Sequence, residues 1–233
     1  MICICIPSRG RPYLVRDTVN RALLQADDSK SVIIKWYIND DDPEVEKYVT
    51  HLENLQAKWG TSVQYMIGPD QSPVYSWNFI AENTEADFFM LAGDEINIKT
   101  KGWDSKIKEC KNQYPDGIFA IAVYDDRGEH THGKCTQPFV TKEWAKALGY
   151  HWNPFFFHWN VDQYTGELCQ KIDRFIYLKD VVIKCTKIKD PTGKRLRSPG
   201  LYKRDKWVFD KLMANNFDSD ISKLRRAIED AKA

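Results

Sequence analysis

The sequence predicts a mixed α/β fold, and two observations support this prediction. Short apolar runs typical of strands alternate with longer segments of helical periodicity through the first hundred residues. In addition, 42% of the 233 residues are hydrophobic, which is enough for one sizeable core rather than for two full domains. Because a helix separates each early strand from the next, we expect these strands to pair in parallel.

The first hundred residues predict half of a nucleotide-binding sheet. The run "ICICI" is typical of a first strand, and a helix with Pro12 near its start follows it. A second strand precedes a second helix, for which Asp42 is the expected cap and Pro43 the first residue. A third strand, a third helix and the strand "ADFFMLA" complete the series.

Beyond residue 100 the alternation loosens, which predicts a mixed sheet. We expect a strand in "GIFAIAVYDD", helices in "TKEWAKALGY" and "VDQYTGELCQKI", and a long or paired strand in "RFIYLKDVVIKC". The basic segment "KDPTGKRLRSPG" predicts a loop, and the C-terminus predicts an amphipathic helix. We therefore expect one domain over residues 1–185, with the basic loop and helix of residues 186–233 packed on it.

Charge is distributed unevenly along the chain. The formal net charge is +1, yet the segment from Lys184 to Lys206 holds nine basic and two acidic residues, a local charge of +7. The remainder therefore carries −6, which is +1 minus +7. This segment predicts a basic face or tail, whereas the net charge neither favours nor excludes a polyanionic partner.

The N-terminus and the cysteines predict a soluble, cytoplasmic protein. The apolar run before Pro7 is too short for a signal peptide, and the sequence has no uncharged run long enough to span a bilayer. The six cysteines show no C-x-x-C spacing, which favours reduced and mostly buried thiols over disulfides or a zinc site.

Polar clusters follow three of the predicted strands: "PSRGR" the first, "NDDD" the second and "GDE" the fourth. In an open parallel sheet, ligands bind at the carboxyl ends of the strands. Adjacent carboxylates such as Asp94 and Glu95 repel one another unless a cation lies between them, and Mg²⁺ and Mn²⁺ prefer such oxygen ligands. Gly and Asp also favour ordinary turns, but three clusters at one edge favour a site.

The order "ICIPSRGRP", "YINDDD", "YSWNFI", "DFFMLAGDE" and "TKGWD" resembles glycosyltransferases of the GT-A fold, nearest to the family-2-like type found in phage genomes. The resemblance covers roughly residues 1–185. It implies a Rossmann-like nucleotide-sugar-binding half at 1–100, an acceptor half at 101–185, and a mixed central sheet flanked by helices. It also implies that Asp94 and Glu95 hold Mn²⁺ or Mg²⁺, although Ala92 stands where a further acid often lies.

The same resemblance implies further donor-binding residues. Ser8 and Arg9 would lie beside the nucleotide, Asp40 would accept hydrogen bonds from the base or ribose, and Asn78 would approach the donor from a helix. Arg11 is a second basic residue able to contact phosphate. Ordinary alternatives stay open: a surface arginine beside a turn for Arg9, and a cap or core hydrogen bond for Asn78.

On the acceptor side, the resemblance implies that Asp162 is the catalytic base at the start of a helix. The alternative is an N-terminal aspartate that stabilises the helix dipole. His158 and Trp159 are weaker acceptor-side candidates, because either can instead pack in an aromatic wall. Many relatives have a histidine as a further metal ligand where this chain has Cys185.

The segment "GEHTHGKC" nearly matches a phosphate-binding loop, but Cys135 ends it and Pro138 follows, so that no helix opens there. His130 and His132 together with Cys135 lack a fourth zinc ligand at suitable spacing. We therefore expect His130, His132 and Cys135 to be exposed loop residues rather than zinc ligands.

The resemblance implies metal-dependent transfer of a hexosyl or pentosyl group from a nucleotide-sugar donor to an acceptor hydroxyl, with inversion. The phage-like motifs and the basic segment together indicate hydroxymethylated pyrimidines such as hydroxymethylcytosine in double-stranded DNA as the acceptor. Alternatively, the basic segment is a lid that grips the donor diphosphate. Two other classes stay open: a nucleotidyltransferase that makes nucleotide sugars, and a non-catalytic nucleotide-sugar-binding module.

Overall fold

The computed structural model describes residues 1–126, 135–185, 196 and 198–232. The strands in this part of the chain are β1 (Ile2–Ser8), β2 (Val32–Asn39), β3 (Val63–Gly68), β4 (Phe88–Leu91), β5 (Ile96–Ile98), β6 (Ala120–Asp125), β7 (Phe139–Thr141) and β8 (Phe175–Cys185). The α-helices are α1 (Val15–Gln25), α2 (Val45–Trp59), α3 (Pro73–Glu82), α4 (Trp103–Glu109), α5 (Lys142–Leu148), α6 (Val161–Lys171), α7 (Pro199–Ala214) and α8 (Asp218–Asp230).

These strands form one sheet with the order β3-β2-β1-β4-β7-β6-β8-β5. β1 pairs in parallel with β2 and β4, and β2 pairs in parallel with β3. β7 joins β4 and β6 in antiparallel register, and thereby connects this half-sheet to β8 and β5. The mixed α/β fold and the parallel half-sheet are therefore confirmed. The strand order reverses at β1 and β4, and ligands of open α/β sheets bind at such a point.

The alternating letters of "ICICI" reflect two apolar layers. Ile2, Ile4 and Ile6 pack in a layer that α1, α2 and α4 cover, whereas Cys3 and Cys5 face a layer covered by α3 and α5 to α8. Successive side chains of a strand point to opposite faces, so both faces of β1 are buried, as is typical of parallel strands. All six cysteines are buried, in agreement with the prediction of mostly buried thiols, and they form no disulfide with one another.

The helix α2 begins later than predicted. Its first residue is Val45 and its cap position is Glu44, so the prediction of Asp42 as the cap and Pro43 as the first residue is wrong. The Asp42 carboxylate instead accepts the backbone N–H groups of Gly10 at 2.7 Å and Glu44 at 2.9 Å. Asp42 therefore ties the loop after β1 to the turn before α2.

The C-terminal helices pack on the layer that contains α5 and α6. α8 contacts both of these helices, and Phe209 of α7 and Leu224 of α8 are buried there. Most of the predicted basic loop, residues 186–195 and 197, lies outside the described residues. None of the described helices is both long and apolar enough to cross a bilayer.

Candidate active site

A cavity opens at the carboxyl ends of β1 to β4, where the sheet topology predicts a ligand site. It contains about 800 Å³ of space including its open mouth, which suits a small-molecule ligand. The loops after all four strands line it, together with residues 157–158. All three predicted clusters thus contribute to one cavity: "PSRGR" and "GDE" with several residues, and "NDDD" through Asn39.

Asp94 is fully buried between Gly93 and Glu95, which both line this cavity. One carboxylate oxygen, Oδ2, accepts the Ser8 hydroxyl at 2.5 Å and lies 2.9 Å from Arg11 Nε. The Ser8 hydroxyl also lies 2.7 Å from the hydroxyl of Tyr48. The Asp94 backbone carbonyl accepts the Thr18 hydroxyl at 2.7 Å. Asp94 therefore has a fixed orientation.

The environment of Asp94 is short of positive charge. Burial, opposed by Arg11 and reinforced by the neighbouring Glu95, raises the pKa of Asp94 to about 8. The second oxygen, Oδ1, is buried and has no hydrogen-bond partner among the described residues. An orphaned carboxylate oxygen beside a second carboxylate fits a hard divalent cation such as Mn²⁺ or Mg²⁺.

Gly93 allows the carboxylate of Glu95 to lie close to the backbone. A Cβ atom at position 93 would lie only 2.6 Å from a Glu95 carboxylate oxygen. Glu95 lines the cavity and is partly exposed, so its carboxylate is accessible to a ligand. The Gly-Asp-Glu turn that follows β4 therefore places one buried and one accessible carboxylate next to each other.

Cys185 does not complete a metal centre with these two carboxylates. It pairs with Ile96 in the antiparallel ladder of β5 and β8, one residue beyond Glu95, and its sulfur lies 2.8 Å from Gln137 Nε2. Within the described ranges, no three His, Cys, Asp or Glu side chains form a group that could hold a metal ion. A cation there would need ligands from water or from the substrate.

The loop after β2 reaches the cavity through Asn39 rather than through Asp40. Asp40 is exposed and is absent from the cavity lining, whereas Asn39 lines the cavity and donates to Asp70 at 2.9 Å. Arg9 also lines the cavity and forms an ion pair with Asp41. Period-2 patterns locate the end of a strand only to within a residue or two, which is why Asn39 and Asp70 were not identified from the sequence.

Asn78 is buried in α3 and does not line the cavity. Its amide donates to the carbonyls of Val74 at 3.2 Å and Trp152 at 2.7 Å, and accepts the N–H groups of His151 at 3.2 Å and Trp152 at 3.0 Å. These four bonds use the full capacity of the side chain. In this structure Asn78 holds the loop at residues 151–152, which is the core alternative considered above.

The same loop supports a pH-dependence prediction. His151 is buried, lies edge-on to Phe89 at 4.3 Å between ring centroids, and burial lowers its pKa to about 4. The unfolded chain takes up this proton near pH 6.5, so the free energy of unfolding should fall between pH 6.5 and 4 by about 3 kcal/mol. In denaturant titrations, His151→Phe should reduce this loss, whereas His51→Phe on the exposed face of α2 should not. An unchanged pH slope in His151→Phe would contradict the prediction.

His158 forms part of the cavity wall, and Trp159 connects that wall to the C-terminal segment. The His158 ring stacks on Trp77 with centroids 5.8 Å apart and planes 20° apart. The Trp159 indole N–H donates to the carbonyl of Leu196 at 2.7 Å, and its ring packs edge-on against Tyr202 of α7. Of the two acceptor-side candidates, only His158 lines the cavity.

Asp205 of α7 holds this wall in place, and the sequence analysis missed it. Its fully buried carboxylate accepts three consecutive backbone N–H groups, from Phe157 at 2.9 Å and from His158 and Trp159 at 2.8 Å. Arg204 lies 2.8 Å from the same carboxylate. The only sequence signal was an acid at a helix position facing the core, and periodicity does not say what such an acid contacts.

Asp162 lies in the first turn of α6, as predicted, but lines a different cavity. That second cavity, of about 660 Å³, also contacts Cys135 and Glu167. The Asp162 carboxylate accepts the N–H group of Gln163 at 2.8 Å. The structure therefore does not bring Asp162 into the cavity that Glu95 lines.

Most of "GEHTHGKC", including His130 and His132, lies outside the described residues. Cys135 is described and is buried, so the expectation that it is exposed is wrong.

Comparison with solved structures identifies the fold. No protein-family model and no curated protein matches the chain. It is similar to S. aureus TarS 1–349 in complex with UDP-GlcNAc (TM-score 0.64, 9% identity, 81% of this chain and 59% of that one). It is also similar to the mannosyltransferase PcManGT from Pyrobaculum calidifontis in complex with GDP-Man and Mn²⁺ (TM-score 0.64, 11% identity, 99% and 74%) and to GalNAc-T7 with UDP, GalNAc and Mn²⁺ (0.61, 9%, 81% and 44%).

These structural neighbours are glycosyltransferases of the GT-A fold, and the predicted fold class is thereby confirmed. The chain spans about three fifths of the length of TarS 1–349. At these identities the likeness establishes the fold, and the activity must be argued from the site.

Proposed function

We propose that the protein is a metal-dependent glycosyltransferase that uses a nucleotide-sugar donor. The observation that carries this proposal is the buried, orphaned oxygen of Asp94 next to Glu95, which lines the cavity at the reversal point of the sheet. The neighbours with UDP-GlcNAc, or with GDP-Man and Mn²⁺, support a donor of this class. Residues 1–100 would form the donor half and residues 101–185 the acceptor half.

The residues of the cavity suit a nucleotide diphosphate. Ser8 and Arg11 orient Asp94, and Asn39 and Asp70 offer amide and carboxylate groups to a base or ribose. A divalent cation held by Asp94 and Glu95 would supply charge stabilisation for the leaving diphosphate. The stacked rings of Trp77 and His158 offer an apolar wall to a sugar or base.

Asp162 is our proposed base for an inverting displacement. Because it lines a different cavity from Glu95 in this structure, this role requires the two cavities to join around a bound acceptor. It would take the proton of the acceptor hydroxyl as that oxygen bonds to the anomeric carbon, while the bond to the diphosphate breaks and its electron pair leaves with the phosphate. Asp162→Asn should lower the rate of transfer by about 10²-fold or more, but leave donor affinity unchanged. Glu167→Gln, in the same cavity, is the matched control. Equal rates for Asp162→Asn and the wild type would remove Asp162 from this role.

The experiment that tests the function is a donor screen. The protein is incubated with Mn²⁺ and a panel of nucleotide sugars, and release of the nucleoside diphosphate is measured. We expect release with one donor or a few, and loss of release with a chelator. Pyrophosphate release from a nucleoside triphosphate would indicate a nucleotidyltransferase instead, and donor binding without any release would indicate a non-catalytic module.

The acceptor that we propose is DNA with hydroxymethylated pyrimidines: the modified base follows from the resemblance alone, and one surface of the structure suits nucleic acid. The exposed face of α7 carries two aromatic rings, Tyr202 at 47% and Trp207 at 61% exposure, among the cations Lys203 and Lys211. Cations and exposed rings together suit nucleic acid. Hydroxymethylcytosine-containing DNA should stimulate diphosphate release, and binding should weaken steeply with salt. No binding at low salt would exclude this acceptor.

A further inference from the structure

Arg11 forms an ion pair with Asp94, the buried carboxylate that we propose as a ligand of the cation. Its side chain is only 13% exposed and lines the cavity, and Nε lies 2.9 Å from Asp94 Oδ2. The other oxygen of Asp94, Oδ1, is the one without a hydrogen-bond partner among the described residues. A divalent ion bound at Oδ1 would therefore share one carboxylate with a guanidinium group.

The position of Arg11 is built into the site. Its backbone N–H donates to the Tyr48 hydroxyl at 2.7 Å, and that hydroxyl lies 2.7 Å from Ser8 Oγ. Ser8 in turn donates to the same Asp94 oxygen that Arg11 contacts. Because Asp94 is fully buried, the charges around it are weakly screened. Arg11 is thus held next to Asp94 at both its backbone and its side chain.

The formal charges of these side chains predict how Arg11 changes the affinity of the cavity for a divalent cation. With both carboxylates ionised, as a bound cation would require, Asp94, Glu95 and Arg11 sum to −1, whereas the two carboxylates without Arg11 sum to −2. A bound diphosphate adds negative charge that a divalent ion and a guanidinium can both contact. The empty cavity is therefore a poor cation site, and the cavity with a donor is a better one.

We propose that Arg11 weakens metal binding to the free enzyme and thereby makes it depend on the donor. This inference rests on the proposed function, since it requires an anionic donor in the cavity. Arg11 acts as a positioning residue that opposes the cation until the diphosphate arrives, and then contacts the diphosphate. By linkage, the metal strengthens donor binding by the same factor.

The test measures Mn²⁺ affinity without nucleotide, from the electron paramagnetic resonance signal of free Mn²⁺. Arg11→Gln should bind Mn²⁺ about 10-fold more tightly than the wild type, and Arg11→Lys, which keeps the charge, should resemble the wild type. Arg16→Gln is the matched control, because Arg16 is exposed on α1 and lies beside Asp17 rather than Asp94. Arg11→Met replaces Arg11→Gln if the latter does not fold. Equal or weaker Mn²⁺ binding in the uncharged variants would overturn the inference.

The second arm repeats the titrations with UDP or GDP. In the wild type, one nucleotide should raise Mn²⁺ affinity by about 10-fold or more, and in Arg11→Gln the increase should be much smaller. An equal increase in both proteins overturns the role of Arg11 but keeps the proposed function. If neither nucleotide changes Mn²⁺ affinity in any variant, the proposed function itself fails. If no variant binds Mn²⁺, both proposals fail.

Discussion

Asp94→Asn is expected to lower diphosphate release by about 10³-fold, because the variant keeps the size of the side chain but loses the charge that would hold a cation. A cation at the leaving phosphate lowers the activation barrier by several kcal/mol, and about 4 kcal/mol corresponds to three powers of ten in rate. The measurement is the rate of diphosphate release with saturating Mn²⁺ and donor.

The fold of this variant should survive. Asparagine keeps an oxygen that can accept from Ser8 and Arg11, and its NH₂ group takes the place of Oδ1, which has no hydrogen-bond partner among the described residues. The melting temperature of the variant without metal should therefore match that of the wild type. Asp87→Asn is the matched control, because Asp87 precedes β4, at the opposite end of the strand, and pairs with Lys142 and the N-terminal amine. Full activity in Asp94→Asn would show that the reaction does not need Asp94 as a ligand of the cation.

Asp205→Asn is expected to destabilise the protein by on the order of 3 kcal/mol and to impair donor binding. The carboxylate accepts N–H groups on both oxygens, Phe157 on Oδ1 and His158 and Trp159 on Oδ2. An asparagine keeps one oxygen, but its NH₂ group faces N–H donors on the other side, so that buried donors lose their partner. Thermal unfolding should show a fall in melting temperature of roughly 10 °C.

The effect on the site can be separated from the effect on stability. Well below its melting temperature, Asp205→Asn should show weaker donor binding, because His158 and Phe157 line the cavity. Asp210→Asn, on the exposed side of α7, removes only an ion pair with Lys206 and should change stability by less than about 1 kcal/mol. Normal donor affinity in Asp205→Asn would show that the cavity wall does not need this carboxylate.

The parallel half-sheet and the position of Asp94 could be predicted, because both depend on local patterns: apolar runs, helical spacing and a polar stop after a strand. The contacts of Asp205 and Asn78 could not, since each depends on a segment that is distant in the sequence. The resemblance implied Asp40 as the donor-binding residue after β2, whereas the exact end of the strand places Asn39 in the cavity lining instead. Motifs therefore locate a site better than they assign its individual contacts.

The bonds from Asp205 to the loop at residues 157–159 also bear on the order of synthesis. The donor half of the sheet leaves the ribosome early, and its strands can pair before the later helices exist. The cavity wall, however, waits for a carboxylate that lies in the penultimate described helix. A nascent chain can thus hold most of its core while its ligand site is still open on one side, so that binding competence is acquired only after α7 has been synthesised.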